Sequence, residues 1–368
     1  MAGIYVHIPF CRKKCLYCDF VSFPACGEGD FFIMNDYAAA LENEMAARRE
    51  SVSRIIFDTV FFGGGTPSFL EGDCFARIVN DIRKNFIIAK HAEFTIEANP
   101  ESLTLAKAAQ WLESGVNRIS IGVQSFDNGE LEIIGRVHDG DMAKNAVAIA
   151  KAAGFQSISL DLICGLPNQT IESLIKNIDT AAQLQVQHVS CYQLQVEENT
   201  PLCAQVKSGH LAVPSDDAYA DMMNAAAKRL EHHGYQRYEV SNFAKQGFGC
   251  RHNMNYWQRG EYIGLGVAAH SLLCGVRMAN TESLGKYLRG NWEDGRELLS
   301  AYDIETEQVM LSLRTSAGID IKSLSDEQVS RAVSLAARGL LSEAEGRFFA
   351  TDRGFEVLNS VILFLLEG

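Results

Sequence analysis

Between residue 3 and about residue 200, short apolar runs alternate with stretches of helical spacing. The apolar runs cover 4–8, 55–62, 94–96, 119–123, 158–163 and 188–194. Between them, 36–50 places Tyr37, Leu41 and Met45 on one helical face, and helical spacing returns at 72–86, 103–114, 141–153 and 171–183. Strands alternating with helices predict βαβ units around a parallel sheet. Six such units suit an incomplete (β/α)6 barrel of the TIM type, with a doubly wound sheet as the rival.

The residues at the end of each run favour the barrel. Cys11, Cys15 and Cys18 come after the first, and Gly63-Gly64-Gly65-Thr66-Pro67 after the second. Glu97 ends the third, Gln124 succeeds the fourth, Asp161 lies in the fifth, and Tyr192 lies near the end of the sixth. In a parallel barrel the carboxyl ends of all strands open on one face, so these side chains would converge there.

Past residue 215 the alternation fades. A helix is predicted over 216–233, ended by Gly234, and an irregular, aromatic, glycine-rich stretch covers 235–280. The remainder reads as a small α+β module of winged-helix type. It has a helix over 305–314, a strand at 348–350, a cap at Thr351, and a last helix with Leu358, Val361, Ile362 and Leu365 on one face. The expected division is a barrel over 1–215, a connecting region packed on it over 216–295, and the module over 296–368.

Composition narrows the function. Lys and Arg number 33 against 46 for Asp and Glu, a net charge of −13 in 368 residues, which disfavours general nucleic-acid binding. No stretch approaches the roughly 18 uninterrupted apolar residues of a membrane span. The amino terminus lacks the basic-then-apolar pattern of an export signal. Ten cysteines in an unexported chain are expected to be thiols or ligands, and the protein is expected to be cytoplasmic.

Three of those cysteines carry chemistry. C-x3-C-x2-C at Cys11, Cys15 and Cys18 can hold three irons of a [4Fe–4S] cluster and leave the fourth iron open to a chelating ligand. The competing reading is a zinc knuckle completed by Cys26 or His7. The glycine run lets backbone approach a ligand closely and offers it free N–H and C=O groups.

These motifs share their pattern with a known family. The chain resembles the radical S-adenosylmethionine (SAM) proteins of the oxygen-independent coproporphyrinogen III oxidase group, and within it the heme chaperones. The resemblance spans the chain and is carried by YVHIPFC (5–11), CDF (18–20), FFGGGTPS (61–68), TIEANPES (95–102), SIGVQSF (120–126), GRVH (135–138), DLICGLPNQT (161–170), YEVSNFA (238–244), HNMNYW (252–257) and YIGLGVAAHS (262–271). It implies a [4Fe–4S] cluster on the three cysteines and SAM beside Tyr5, Tyr17, Gly64, Gly65, Thr66, Glu97, Gln124, Arg136 and Asp161. Tyr17 would pack on the adenine. Some motifs depart from the family pattern: Asn168 stands where glycine is usual, Val267-Ala268 where Pro-Gly is, and Cys164 where tyrosine is common.

The resemblance offers two functions. The oxidase decarboxylates coproporphyrinogen; its pattern continues to a further cysteine where this chain has Phe20, and it carries an extension before the first motif. The chaperones bind heme and pass it to apoproteins, and they share the HNxxYW motif, here His252, Tyr256 and Trp257. Neutral imidazole suits heme iron, so His252 is the expected axial ligand, with Tyr256 and Trp257 stacking and Tyr192 and His270 as lesser candidates. The expectation is therefore a heme chaperone without coproporphyrinogen turnover. It would serve respiratory acceptors, reach the membrane only through them, and dimerise.

Overall fold

The computed structural model describes residues 1–25 and 30–367; Cys26 lies outside them. Six strands run parallel in chain order: β1 (Ala2–Ile8), β2 (Ile56–Gly64), β3 (Ile87–Ala98), β4 (Arg118–Gln124), β5 (Ser157–Cys164) and β6 (His188–Gln193). Helices α1 (Asp30–Arg48), α2 (Gly72–Asn85), α3 (Leu105–Glu113), α4 (Gly140–Ala153) and α5 (Ile171–Gln183) fill the crossovers. Local chemistry sets their ends. The Asp139 and Thr170 side chains accept from the N–H groups of Met142 and Ser173, and Gly154 closes α4 in the left-handed region at φ 110°.

Side-chain alternation divides the sheet into two faces. Ile4, Val6 and Ile8, Val60 and Phe62, Ile119, Ile121 and Val123, and Leu160 and Leu162 are buried in the main core beneath the helices. Each such side chain contributes about 1.5–3 kcal/mol, which fixes the register because a one-residue slip would turn all of them to the other face. The opposite face is polar and lines the barrel: Thr59, Thr95, Ser120, Ser159, His188 and Ser190 are all buried there.

The stretch expected to be irregular instead continues the sheet. After α6 (Asp216–His232), β7 (Asn242–Ala244) pairs antiparallel with β6. On the far side, β8 (Glu261–Leu265) lies parallel to β1, and β9 (His270–Leu273), β10 (Val276–Asn280) and β11 (Glu293–Leu298) extend the sheet outward from it. The turn between β9 and β10 is two residues, Cys274 and Gly275, both with positive φ, the tight hairpin geometry that matches strand twist. One continuous sheet thus runs from β11 through the barrel strands to β7 and the short strand Gln236–Arg237 beyond it without closing, which makes the architecture a partial (β/α) barrel with added edge strands.

A separate hydrophobic core forms from Val309, Leu313, Leu335, Phe348, Val361 and Leu365. It joins α8 (Ala301–Ser312), α9 (Asp326–Ala337) and α10 (Leu358–Glu367) to a three-stranded antiparallel sheet, a small α+β unit. Among the described residues no helix is long and apolar enough to cross a membrane.

Candidate functional site

The three-cysteine loop leaves β1 and is pinned at several points. Leu16 donates its N–H to the Ile134 carbonyl, and Leu202 donates to that of Leu16. Leu16 and Tyr17 pack on a small cluster of Ile134, Ile163, Leu166, Leu194 and Leu202 at the mouth of the barrel. Cys11 is buried, and Cys15 and Cys18 are half-buried. Phe20, two residues beyond Cys18, is 68% exposed.

Glycine holds the second wall. The Gly65 and Thr66 N–H groups donate to the Ile8 and Phe10 carbonyls at 2.8 Å each. A Cβ on Gly65 would stand 2.8 Å from the Phe10 carbonyl oxygen and 2.9 Å from that of Ile8, so only glycine fits. Gly64 sits at φ 109° with the His7 ring 2.5 Å from where its Cβ would be.

A hydrogen-bond relay links two of the cysteines. Arg136 donates through Nη1 to Cys15 Sγ at 3.4 Å, and through Nη2 to Asn99 Oδ1 at 2.8 Å and the Gly122 carbonyl at 2.7 Å. Asn99 Nδ2 donates to Thr66 Oγ1 at 3.0 Å, and Thr66 Oγ1 donates to Cys11 Sγ at 3.4 Å. Because guanidinium can only donate, the Asn99 amide must present its oxygen to Arg136 and its nitrogen to Thr66. The threonine hydrogen is then directed at sulfur. Gln124 joins this wall: it ends β4 at φ 66°, and its amide lies beside Gly122 with the Asn99 amide and the Arg136 guanidinium.

Burial outweighs the cations near the thiols, Arg136 beside Cys11 and Lys14 beside Cys18. Burial pushes Cys11 and Cys18 up, and the neighbouring Cys15 adds repulsion to both. Burial opposes the charge on Arg136, yet Tyr17, Cys15 and Glu101 around it hold its pKa above the ordinary guanidinium range. Three clustered thiols with polar donors aimed at two sulfurs fit a cationic iron–sulfur core, whose hydrogen bonds to sulfur tune it. Among the described residues no three His, Cys, Asp or Glu side chains converge as a single metal ion requires. His7 is not a free zinc ligand: Nε2 bonds the Val21 carbonyl at 2.8 Å and Nδ1 the Tyr5 hydroxyl at 3.1 Å.

Behind the glycine loop lies an acidic pair. Glu97 accepts the Gly64 N–H at 3.3 Å, and Ser120 Oγ lies 3.1 and 3.2 Å from the two Asp161 oxygens. Burial and the nearby Asp161 push Glu97 up to about 8, against the pull of the Gly64 N–H and Arg118. Burial likewise raises Asp161 despite Ser190, Arg118 and Ser120. Two crowded carboxyls fit a ligand that brings positive charge or hydroxyl donors. Tyr5 closes this side, its ring near Gly63 and stacked on Phe61 with centroids 6.3 Å apart.

The HNMNYW segment goes elsewhere. It forms α7 (Arg251–Trp257), which plugs the opposite end of the barrel. The Arg251 and His252 N–H groups donate to the Glu93 carboxylate at 3.0 Å each, an acid at a helix start. His252 is 1% exposed, stacked on Phe61 with centroids 5.0 Å apart. Its Nδ1 bonds Thr59 Oγ1 at 2.8 Å and its Nε2 bonds the Tyr256 hydroxyl at 2.9 Å. Burial and Arg118 lower its pKa to about 3, so it is neutral with both nitrogens engaged. In this arrangement His252 does not fit an axial ligand, because no lone pair faces open space. Tyr256 does border a cavity, whereas Trp257 is half-buried on α7.

The sequence pattern does not single out two residues of consequence. Asn99 is the hub of the relay, and strand alternation two residues after Glu97 places it on the same face. Arg118 is buried, its charge reaching both Asp161 and Glu93, and no sequence signal marks it out.

A profile of the Radical SAM superfamily matches residues 5–181, the span that holds the cysteine loop, the glycine run and the acidic pair. The chain is 34% identical to the heme chaperone HemW of Bacillus subtilis, over 98% of both chains. It is 36% identical to that of Mycobacterium tuberculosis H37Rv, over 99% of this chain and 94% of the relative, and 34% identical to that of Escherichia coli K12, over 99% and 98%. The fold is that of the coproporphyrinogen III oxidase HemN from Escherichia coli, with a TM-score of 0.86 and 24% identity across 100% of this chain and 90% of the oxidase.

Proposed function

This chain belongs to the HemW family of radical SAM proteins, and from that premise we propose that it is a heme chaperone that binds heme, a [4Fe–4S] cluster and SAM and hands heme to acceptor apoproteins. The observation that carries the reading is similarity along the whole length, at 34–36% identity, to proteins with that role.

The chain's residues support it in parts. Cys11, Cys15 and Cys18 would hold three irons, leaving one free to take an amino and a carboxylate group. SAM bound there supplies a one-electron route to carbon–sulfur cleavage. The glycine backbone at 63–65 would receive its amino group, and Tyr17 its adenine. Glu97 and Asp161 would accept from its hydroxyls or amine, while Gln124 and Arg136 line the remaining space. Arg136 already holds Cys15, so its clamping of a substrate carboxylate would depend on the relay.

Phe20 stands where the oxidase pattern has a further cysteine, which argues against decarboxylation of coproporphyrinogen. The three-part division at residues 215 and 295 is likewise proposed, with the qualification that β8–β11 extend the barrel sheet itself. A cytoplasmic location, respiratory acceptors reached without a membrane segment, and a homodimer complete the reading.

The test is an anaerobic incubation of cluster-reconstituted protein with SAM, a strong reductant and coproporphyrinogen III, alongside a hemin titration. Stoichiometric hemin binding with no protoporphyrinogen formed is the expected result. Catalytic protoporphyrinogen accumulation would overturn it.

A further inference from the structure

Beside β1 the sheet leaves its concave face open. Register shows which side chains share that face: Gly3 pairs with Tyr262, Tyr262 with Leu272, and Leu272 with Arg277. Tyr5 lies two residues after Gly3, and His270 two residues before Leu272, so both join the row. Across from it, Met310 and Leu311 of α8 form a roof. Between them is a cavity of about 650 Å³ that reaches Phe20 of the cysteine loop and Tyr256 of α7. That volume is within the range of sites for cofactor-sized ligands, roughly 300–1,000 Å³.

Polar groups sit at the α8 side. Arg259 donates through Nε to Glu307 at 2.9 Å, and Arg277 donates to the same carboxylate and to Glu297 at 3.3 Å. Glu307 is shared by two guanidiniums, and Glu297 balances the charge of the second. Arg259 Nη2 is buried with no hydrogen-bond partner among the described residues. Asp19 and Glu282 also border the cavity, but Phe20, Val21, Leu272, Met310 and Leu311 leave most of its wall apolar. Two histidines line it. His7 has both nitrogens engaged, by Val21 and Tyr5; the exposed His270 ring makes no hydrogen bond among the described residues.

Taking the heme-binding reading as its basis, we propose that heme lies in this cavity between the tyrosine-bearing face of β1 and β8 and the α8 roof. His270 supplies the iron ligand, and a propionate carboxylate meets the unpartnered edge of Arg259. An apolar slot with aromatic walls suits the macrocycle, and neutral imidazole with a free nitrogen suits its iron. His252, in contrast, secures the floor of the barrel. The site would place heme between the cluster loop and the C-terminal unit, where movement of α8 would release it.

The experiment titrates the full-length, cluster-reconstituted protein with hemin, following the Soret band and the low-spin electron paramagnetic resonance signal. His270 is exposed, so His270→Gly leaves the core untouched. The expected result is a lost low-spin signal and affinity weaker by about tenfold or more, with free imidazole restoring the signal. Hemin dimethyl ester should bind wild type more weakly than hemin, because its carboxylates are masked. Unchanged spectra and affinity in His270→Gly, with wild type binding hemin stoichiometrically, would overturn the ligand assignment while leaving the chaperone reading intact. Equal affinity for the ester would overturn the Arg259 contact. Wild type that fails to bind hemin would instead remove the chaperone reading, and this proposal with it.

Discussion

Thr66→Val deletes one hydroxyl from the cluster wall and keeps the branched shape. In the native arrangement Asn99 fixes the Thr66 oxygen as an acceptor, so the hydroxyl hydrogen has Cys11 Sγ as its partner at 3.4 Å. A hydrogen bond to a thiolate stabilises the reduced cluster more than the oxidised one, because reduction adds negative charge. A neutral bond contributes about 1 kcal/mol, and a one-electron couple moves by about 59 mV for each tenfold, or about 1.4 kcal/mol, so the potential should fall by roughly 40 mV. Asn99→Ala should produce part of the same fall without touching a cluster-facing group, since it frees the threonine hydroxyl to rotate away. The assay is a redox titration of the reconstituted [4Fe–4S] protein monitored by electron paramagnetic resonance, with iron content measured in parallel. A full iron complement and an unchanged or raised potential in Thr66→Val would refute the relay as a tuning device.

Further predictions rest on separate parts of the structure. Gly65→Ala forces a Cβ against two carbonyl oxygens, so cluster reconstitution should drop sharply; iron stoichiometry after gel filtration reads this. Glu97 gives a pH dependence whose sign comes from its raised pKa. The folded cofactor-free protein keeps the proton up to about 8 while the unfolded chain releases it near the ordinary carboxyl value, so folding holds more protons and stability falls as pH rises between the two. Urea unfolding from about pH 5 to 8 should show a slope approaching about 1.4 kcal/mol per pH unit that flattens in Glu97→Gln. His252→Ala leaves Thr59 and Tyr256 without partners and opens a void beside Phe61, a loss of about 3 kcal/mol by chemical denaturation. Trp111→Ala, in the core between barrel and helices, should cost about 3–5 kcal/mol by the same measurement.

The barrel strands were legible because each is a short apolar run whose outer face must be covered, and four of the five crossover helices fall within two residues of the spacing that predicts them, while the first, Asp30–Arg48, starts well before residue 36. The third strand is an exception. Only 94–96 stands out in the sequence, but Ile87–Ala98 is extended, because its first half carries Lys90, His91 and Glu93 and so breaks the apolar pattern. Residues 235–280 misled for a related reason: β8–β10 are four or five residues long and separated by glycine turns, too short for periodicity to register. At the site, Cys11, the glycine run and Glu97 could be placed at one mouth from their positions after strands. The burial of His252 could not be read that way. A histidine beside aromatic residues reads equally as ligand or as packing, and only the register of Thr59 and Gly3 against α7 shows that it faces the barrel floor.

The chaperone reading stands or falls on whether bound heme moves to another protein. Hemin-loaded protein, freed of excess hemin and carrying its cluster, would be mixed with a heme-free b-type cytochrome, and the acceptor's spectrum followed with time. Stoichiometric transfer is expected, faster than heme leaves the loaded protein into a non-specific heme scavenger. Heme that stays on the loaded protein, or reaches the cytochrome no faster than it reaches the scavenger, would contradict it.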